Sequence, residues 1–290
     1  MTLPEEVRAH AAHVAASARW VRIDLDRAQH VVPGDEPQLD PERHFLDGPA
    51  DGVAMYVFAL TAINFGSGWF PTLRKRRGMS GYFTVASSLA DRFRADGPLT
   101  NEQLRAMTAT EIARTLDQPP DHELMALYAQ ALRQLGTFLG DRAPLDVVRA
   151  ADGSADRLAR TVASGMSMWN DLGFYKRAQI LASDLSLAGL ARFRDLDALT
   201  IFADNLVPHV LRCDGVLVYD DALAEHIDAE RLLTNAEQER EIRACAVHAC
   251  VHIAQRLRVS EPTLDLWLWT RGQAPEYKAR PRHRSRTVFY

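Results

Sequence analysis

Lysine is nearly missing from this 290-residue chain: Lys75, Lys176 and Lys278 are the only three among 34 basic residues. The bias toward arginine is compositional, yet ammonium and guanidinium do different chemistry, so each surviving lysine calls for a reason. Cysteine is scarce too. Cys213, Cys245 and Cys250 are an odd, sparse set, which excludes a disulfide-stapled secreted framework and predicts a reducing cytoplasm. The longest apolar run, Val53 to Phe65, contains Thr61 and Asn64 and falls short of the roughly 20 residues that span a bilayer. The first residues carry acids and histidines rather than the basic-then-apolar order of a signal peptide. Charge of one sign is also lacking. With 38 acidic against 34 basic residues the net charge is -4, so no overall field draws the protein to nucleic acid or an anionic membrane, and phosphate recognition must be local. No P-loop, glycine-rich dinucleotide fingerprint or Gly-x-Ser-x-Gly elbow occurs, which counts against nucleoside triphosphate and nicotinamide chemistry. No internal repeat or low-complexity block suggests a solenoid.

What is present is an ordinary folded composition, 47% hydrophobic and 25% charged. Helical period dominates. Amphipathic segments run over 4–19, 80–95, 121–139 and 235–257, the third with Leu124, Leu127, Tyr128, Leu132, Leu135 and Leu139 on one face. Thr100 and Ser154 read as helix N-caps. Only Val21 to Asp24 and Val216 to Tyr219 look like strands. The prediction is a mainly α fold with at most a minor β element, forming a single domain over 1–290. A loop over 32–52, rich in Pro, Asp and Gly, sets off an N-terminal subregion, 1–52.

Several residues fit poorly as scaffolding alone. Asp204 lies in the apolar run Leu196 to Val210, where Leu196, Leu199, Phe202 and Leu206 make a helical stripe and Pro208 opens the next helix. That puts the carboxylate near a helix C-terminus, against the dipole. Either Asp204 or Asn205 caps the following helix, or Asp204 is an acid that needs a cationic partner or a cationic transition state. Lys176 follows the aromatic pair Phe174 and Tyr175. With a helix starting near Gly173, it shares a boundary with Ile180 while Ala178 and Leu181 face inward. Its identity is either incidental or that of a compact charge beside a carboxylate. Asp265 sits among Leu264, Leu266, Trp267, Leu268 and Trp269, as an N-cap or as a buried acceptor for paired N–H donors. His248 and His252 have the i, i+4 spacing of zinc ligands, but Ala249 stands where a metalloprotease has Glu, and Arg256 continues the face as a solvated flank. Arg74 to Arg77 form a basic loop. Lys278, Arg280, Arg282, Arg284 and Arg286 alternate along a tail that, if extended, presents all five on one side. The terminal Val288, Phe289 and Tyr290 predict that this tail docks.

The stretches HFLDG at 44–48, INFGSGW at 63–69, FYKRAQI at 174–180, FADNLVPHVL from Phe202, EIRACAVHA at 241–249, LDLWLW at 264–269 and the terminal HRSRTVFY, in that order, resemble the queuosine salvage protein family. The resemblance implies a compact helical fold similar to helical DNA glycosylases, and hydrolysis of the N-glycosidic bond of queuosine 5'-phosphate. It implies Asp204 as the catalytic carboxylate and Lys176 as its partner, with Asp265, Phe174, Tyr175 and Phe202 around the base and His44 on the substrate. The tail arginines, Arg284 among them, are then the candidates for the phosphate. No metal or redox cofactor is implied, and the partner is a small molecule, with neither a membrane nor a stable nucleic-acid partner. The rivals are a helical nucleic-acid-binding module, using the 74–77 cluster and the tail, and a nucleoside or DNA glycosylase of other specificity.

Overall fold

A computed structural model describes residues 1–290. In chain order the elements are α1 (Leu3–Ala16), β1 (Val21–Ile23), α2 (Ala50–Ala62), α3 (Gly81–Asp96), α4 (Asn101–Ala106), α5 (Ala109–Thr115) and α6 (Glu123–Leu139). There follow α7 (Pro144–Ala150), α8 (Ala155–Gly165), α9 (Lys176–Leu187), α10 (Leu206–Cys213), β2 (Leu217–Tyr219), α11 (Asp221–Asp228), α12 (Ala236–Leu257), α13 (Glu261–Arg271) and α14 (Pro275–Lys278). The protein is mainly α, as the periodicity predicts. No helix is long and apolar enough to cross a membrane.

The chain divides into two compact units. One holds residues 1–37, 172–176 and 197–286, the other 38–171, 177–196 and 287–290. The first is organised on α12, which packs against α1, β1, α10 and α13. Asn235 caps α12 by accepting the Glu237 and Gln238 amides, and Ile242, Cys245, Ala246, Ala249 and Ile253 are buried along it. The two strands pair antiparallel, with Arg22 opposite Val218. A buried carboxylate fixes this sheet to the helix: Glu241 accepts the amides of Arg19 at 2.9 Å, Trp20 at 2.6 Å and Val21 at 2.7 Å. Three backbone donors at a strand end are thereby satisfied without water.

In the second unit α6 packs against α2, α4 and α5. Gly136 permits the close approach of α4, since a Cβ there would lie 2.7 Å from the Arg105 amide nitrogen. Thr100 opens α4 with a capping box closed by Gln103. Ser154 caps α8, helped by Asp195, which accepts the Ser154 hydroxyl at 2.7 Å and the Ala155 amide at 2.6 Å. Arg177 is fully buried, with its guanidinium near the rings of Phe65 and Trp169. It donates to the carbonyls of Ala62, Met168 and, at 2.7 Å, Val288. Burial pulls its pKa down to about 9, partly opposed by Asp171. Gly66 donates to the Tyr290 carbonyl at 2.9 Å, so the expected docking of the last residues is present.

Candidate functional site

Asp204 does not end a helix. Residues 199–205 are irregular after a short 3-10 turn at Leu196–Ala198, and α10 starts at Leu206 with Pro208 already inside its first turn. Pro208 tolerates that place because its missing N–H would have no intrahelical partner there. Asp204 Oδ1 accepts the amides of Leu206 at 2.6 Å and Val207 at 3.3 Å. The carboxylate therefore sits at the N-terminus of α10 with the dipole in its favour, opposite to the expected sense. The capping alternative holds for Asp204 itself. Its side chain is half-buried and both bonds fall on Oδ1.

The turn before Asp204 is held from two sides. Phe202 donates its amide to Asp265 Oδ1 at 2.8 Å, and the Ala203 carbonyl accepts Arg243 Nε at 2.9 Å. Asp265 is no N-cap: Ser260 caps α13, and Asp265 lies a full turn inside that helix, 4% exposed. Its carboxylate is the buried acceptor of the two alternatives. Asn205 donates to the His283 carbonyl at 3.0 Å, which brings the C-terminal segment against the same turn.

Lys176 is the first residue of α9 rather than a residue within a helix begun at Gly173. Gly173 has φ +89° and Tyr175 φ +50°, and an aromatic residue in the left-handed region costs backbone energy that its surroundings must offset. A Cβ on Gly173 would lie 2.5 Å from the His10 ring. This sharp turn buries Lys176, 4% exposed, instead of leaving it at a boundary. Phe174, 3% exposed, meets the His10 ring edge-on at 5.4 Å and carries the Arg243 guanidinium 3.9 Å above its own ring.

The tail is docked, but not as one cationic edge. Lys278 belongs to α14, and Arg280 pairs with Asp228 at 3.7 Å, beside Arg212 at 2.8 Å from the same carboxylate. Arg284 donates to the Glu230 carbonyl, with the Glu230 carboxylate at 3.8 Å. Arg282 is the tail arginine that answers to Asp204: burial lowers its pKa, the Asp204 charge raises it, and Arg284 lowers it. His283 and His209 are buried and held neutral. Burial, with the charges of Arg243, Arg282 and Arg212, pulls His283 down to about 3, and burial chiefly brings His209 to about 4.

Phe174, Tyr175, Lys176, Phe202, Asp204, Asp265 and Arg284 all belong to the first unit. His44 belongs to the second, where Nδ1 bonds the Asp40 carbonyl at 2.8 Å and Nε2 meets the Tyr82 hydroxyl at 3.0 Å. The Asp40 carbonyl can only accept, so Nδ1 carries the proton and Tyr82 donates to Nε2 when the ring is neutral. Burial lowers the His44 pKa. His248 and His252 meet edge-to-face at 5.0 Å between ring centres, and no group of three metal-ligating side chains occurs. Arg256 is exposed, as a solvated flank predicts, and its guanidinium also donates to the Ala28 and Val31 carbonyls at 2.8 Å. In the basic loop Arg76 is paired with Asp91 and Arg74 with Asp117. A groove of about 810 Å³ between α1, the two strands and His248 is lined by alanines of α1, the Arg19–Trp20 stack and residues of both strands; of the candidate site residues it contains only His248.

Sequence reasoning missed Arg243, and among the tail arginines it singled out Arg284 rather than Arg282. Arg243 did leave a signal: it stands three and four residues before the buried Ala246 and Val247, so a charge falls on the inward face of α12. The alternation of the tail put Arg282 among the candidates but does not say which arginine comes under the charge of Asp204.

Fold and site together define a mainly helical protein that mounts a half-buried carboxylate on a helix N-terminus, braced by a second, buried carboxylate and an arginine. The model of the queuosine salvage protein family matches residues 45–290. A protein of Sphaerobacter thermophilus named queuosine 5'-phosphate N-glycosylase/hydrolase is 32% identical, covering 96% of this chain and 95% of its own length. A mouse protein of the same name is 25% identical over 95% of this chain and 89% of its own length. One from Dictyostelium discoideum is 39% identical over 40% of each. The chain belongs to the queuosine salvage protein family.

Proposed function

We propose that this protein hydrolyses the N-glycosidic bond of queuosine 5'-phosphate, releasing queuine and ribose 5-phosphate. The observation that carries the reading is full-length similarity to proteins bearing that name, joined to an acid mounted as Asp204 is. In the reaction the bond from ribose C1' to the base breaks and its electron pair leaves with the base. Water supplies the hydroxyl to C1' and the proton to the base. Positive charge builds on the sugar, and a carboxylate at its face stabilises or captures that charge. Asp204 serves here, with Oδ1 tied to α10. A 7-deazaguanine base lacks the ring N7 at which a purine leaving group is protonated, so more of the barrier has to come down at the sugar. Lys176 balances the charge and orients water. Asp265 and the aromatic residues Phe174, Tyr175 and Phe202 hold the base.

For the 5'-phosphate the tail supplies the cation, and the charge of Asp204 acting on Arg282 favours that residue over Arg284. A role for His44 in binding substrate rests on the resemblance alone. The whole chain acts as one catalytic domain on a small molecule, in the cytoplasm, where its three free cysteines stay reduced. The pairing of Arg74 and Arg76 with acids weakens the nucleic-acid-binding alternative. Chromatography of base released from queuosine 5'-phosphate, queuosine and ordinary purine nucleotides is the test. Release of queuine from the phosphorylated nucleoside is expected, and its absence overturns the reading.

A further inference from the structure

We propose that Arg243 is a positioning residue for the glycosidic reaction: it holds the Asp204 turn and the Phe174–Lys176 turn in one fixed relation. The inference rests on the function proposed above. Arg243 is 2% exposed in the middle of α12, where an unanchored guanidinium would be costly. It is anchored three ways: Nε donates to the Ala203 carbonyl at 2.9 Å, Nη1 lies 3.4 Å from Glu239 Oε1, and the guanidinium lies 3.9 Å over the Phe174 ring. Ala203 immediately precedes Asp204, and Phe174 comes two residues before Lys176. One side chain thus grips two segments that are about thirty residues apart in sequence and carry the acid and its cation.

The grip demands arginine. A guanidinium can direct an in-plane N–H at a carbonyl while its face lies on an aromatic ring, whereas the tetrahedral lysine ammonium cannot satisfy both at once. The His10 ring meets Phe174 at nearly a right angle, 5.4 Å between ring centres, so both His10 and Arg243 confine the ring. Where rate depends on a carboxylate placed against a developing charge, a small displacement is expensive in turnover and nearly silent in ground-state binding.

The test is a set of purified full-length variants assayed for queuine release, with folding checked by circular dichroism at the assay temperature. Arg243→Lys is expected to lower kcat about tenfold or more while KM stays within about threefold. Phe174→Leu added to it is expected to cost less in kcat than the product of the two single effects, because either change breaks the link that the two side chains share. The exposed neighbour change Arg240→Lys is expected to leave kcat unaltered. Should Arg243→Lys be unfolded, Arg243→Gln with Phe174→Leu carries the same cycle. A folded Arg243→Lys enzyme with kcat within about twofold of wild type, or additive effects in the cycle, overturns the inference alone. A wild-type protein that releases no queuine overturns the functional reading and this inference with it.

Discussion

Asp204 Oδ1 accepts the Leu206 amide at 2.6 Å, so the proposed catalytic carboxylate is also the device that starts α10. The two duties are compatible because they use different parts of the group. A helix N-terminus favours an anion, and bonds confined to Oδ1 orient the carboxylate without occupying its whole rim. Stability and chemistry are therefore linked at this residue and can be separated by the choice of substitution.

Asp204→Asn keeps an oxygen that accepts the Leu206 and Val207 amides, so the protein is expected to stay folded while base release falls on the order of 10³-fold. Asp204→Ala removes the cap as well, and should lose about 1 kcal/mol of stability besides the activity. Turnover is read by chromatography of released queuine, and stability by thermal melting of both variants. Near-wild-type turnover in either one rules out Asp204 as the catalytic acid.

Lys176→Arg is expected to reduce turnover strongly although the charge is retained. The side chain is only 4% exposed at the first turn of α9, and the larger planar cation has no free volume there without moving its neighbours. Steady-state kinetics of the folded variant decide the matter: unchanged kcat and KM would make the identity of this lysine incidental.

Helices α1, α3, α6 and α12, the caps at Thr100 and Ser154 and the minor sheet were legible in the sequence, since period and capping chemistry are local, whereas the helical stripe read over 196–206 is irregular backbone from 199 on. Asp204 and Asp265 were legible as acids in apolar runs, but each had two local explanations, and only tertiary contacts chose between them. The Phe202 amide, a partner 63 residues away, makes Asp265 an acceptor instead of a cap. Lys176 was misplaced because the left-handed turn at Tyr175 contradicts the preference of an aromatic residue. Alternation in the tail suggested one cationic edge, yet α14 and the Glu230 contact distribute those cations differently.

Arg282→Gln is expected to raise KM for queuosine 5'-phosphate about tenfold or more, and Arg284→Gln to change it much less. Burial and the Asp204 charge act on Arg282, while Arg284 is already engaged by Glu230. Kinetics of the two variants on the phosphorylated and dephosphorylated nucleosides make the comparison, the effect of Arg282 being larger with the phosphate present. Equal effects of the two substitutions would remove the preference for Arg282.

Acid should destabilise the protein through its buried histidines before the strongly acidic range is reached. Burial pulls His283 down to about 3 and His209 to about 4, from an ordinary value near 6.5. Between these limits the unfolded chain binds protons that the native state refuses, so stability rises with pH. The contribution is complete above about pH 6.5 and drains away as the pH falls toward 3. The cations acting on His283 are Arg243 of α12, Arg212 of α10 and Arg282 of the tail, with the His209 imidazole of α10 joining them as the pH falls. One such imidazole contributes at most about 1.4 kcal/mol per pH unit. Urea midpoints of the wild type and of His283→Met at pH 7.5, 5.5 and 4.5 isolate this share, because carboxylates titrate alike in both proteins. The variant should lose less stability over that interval, and identical losses would show that His283 is not held neutral in the native state.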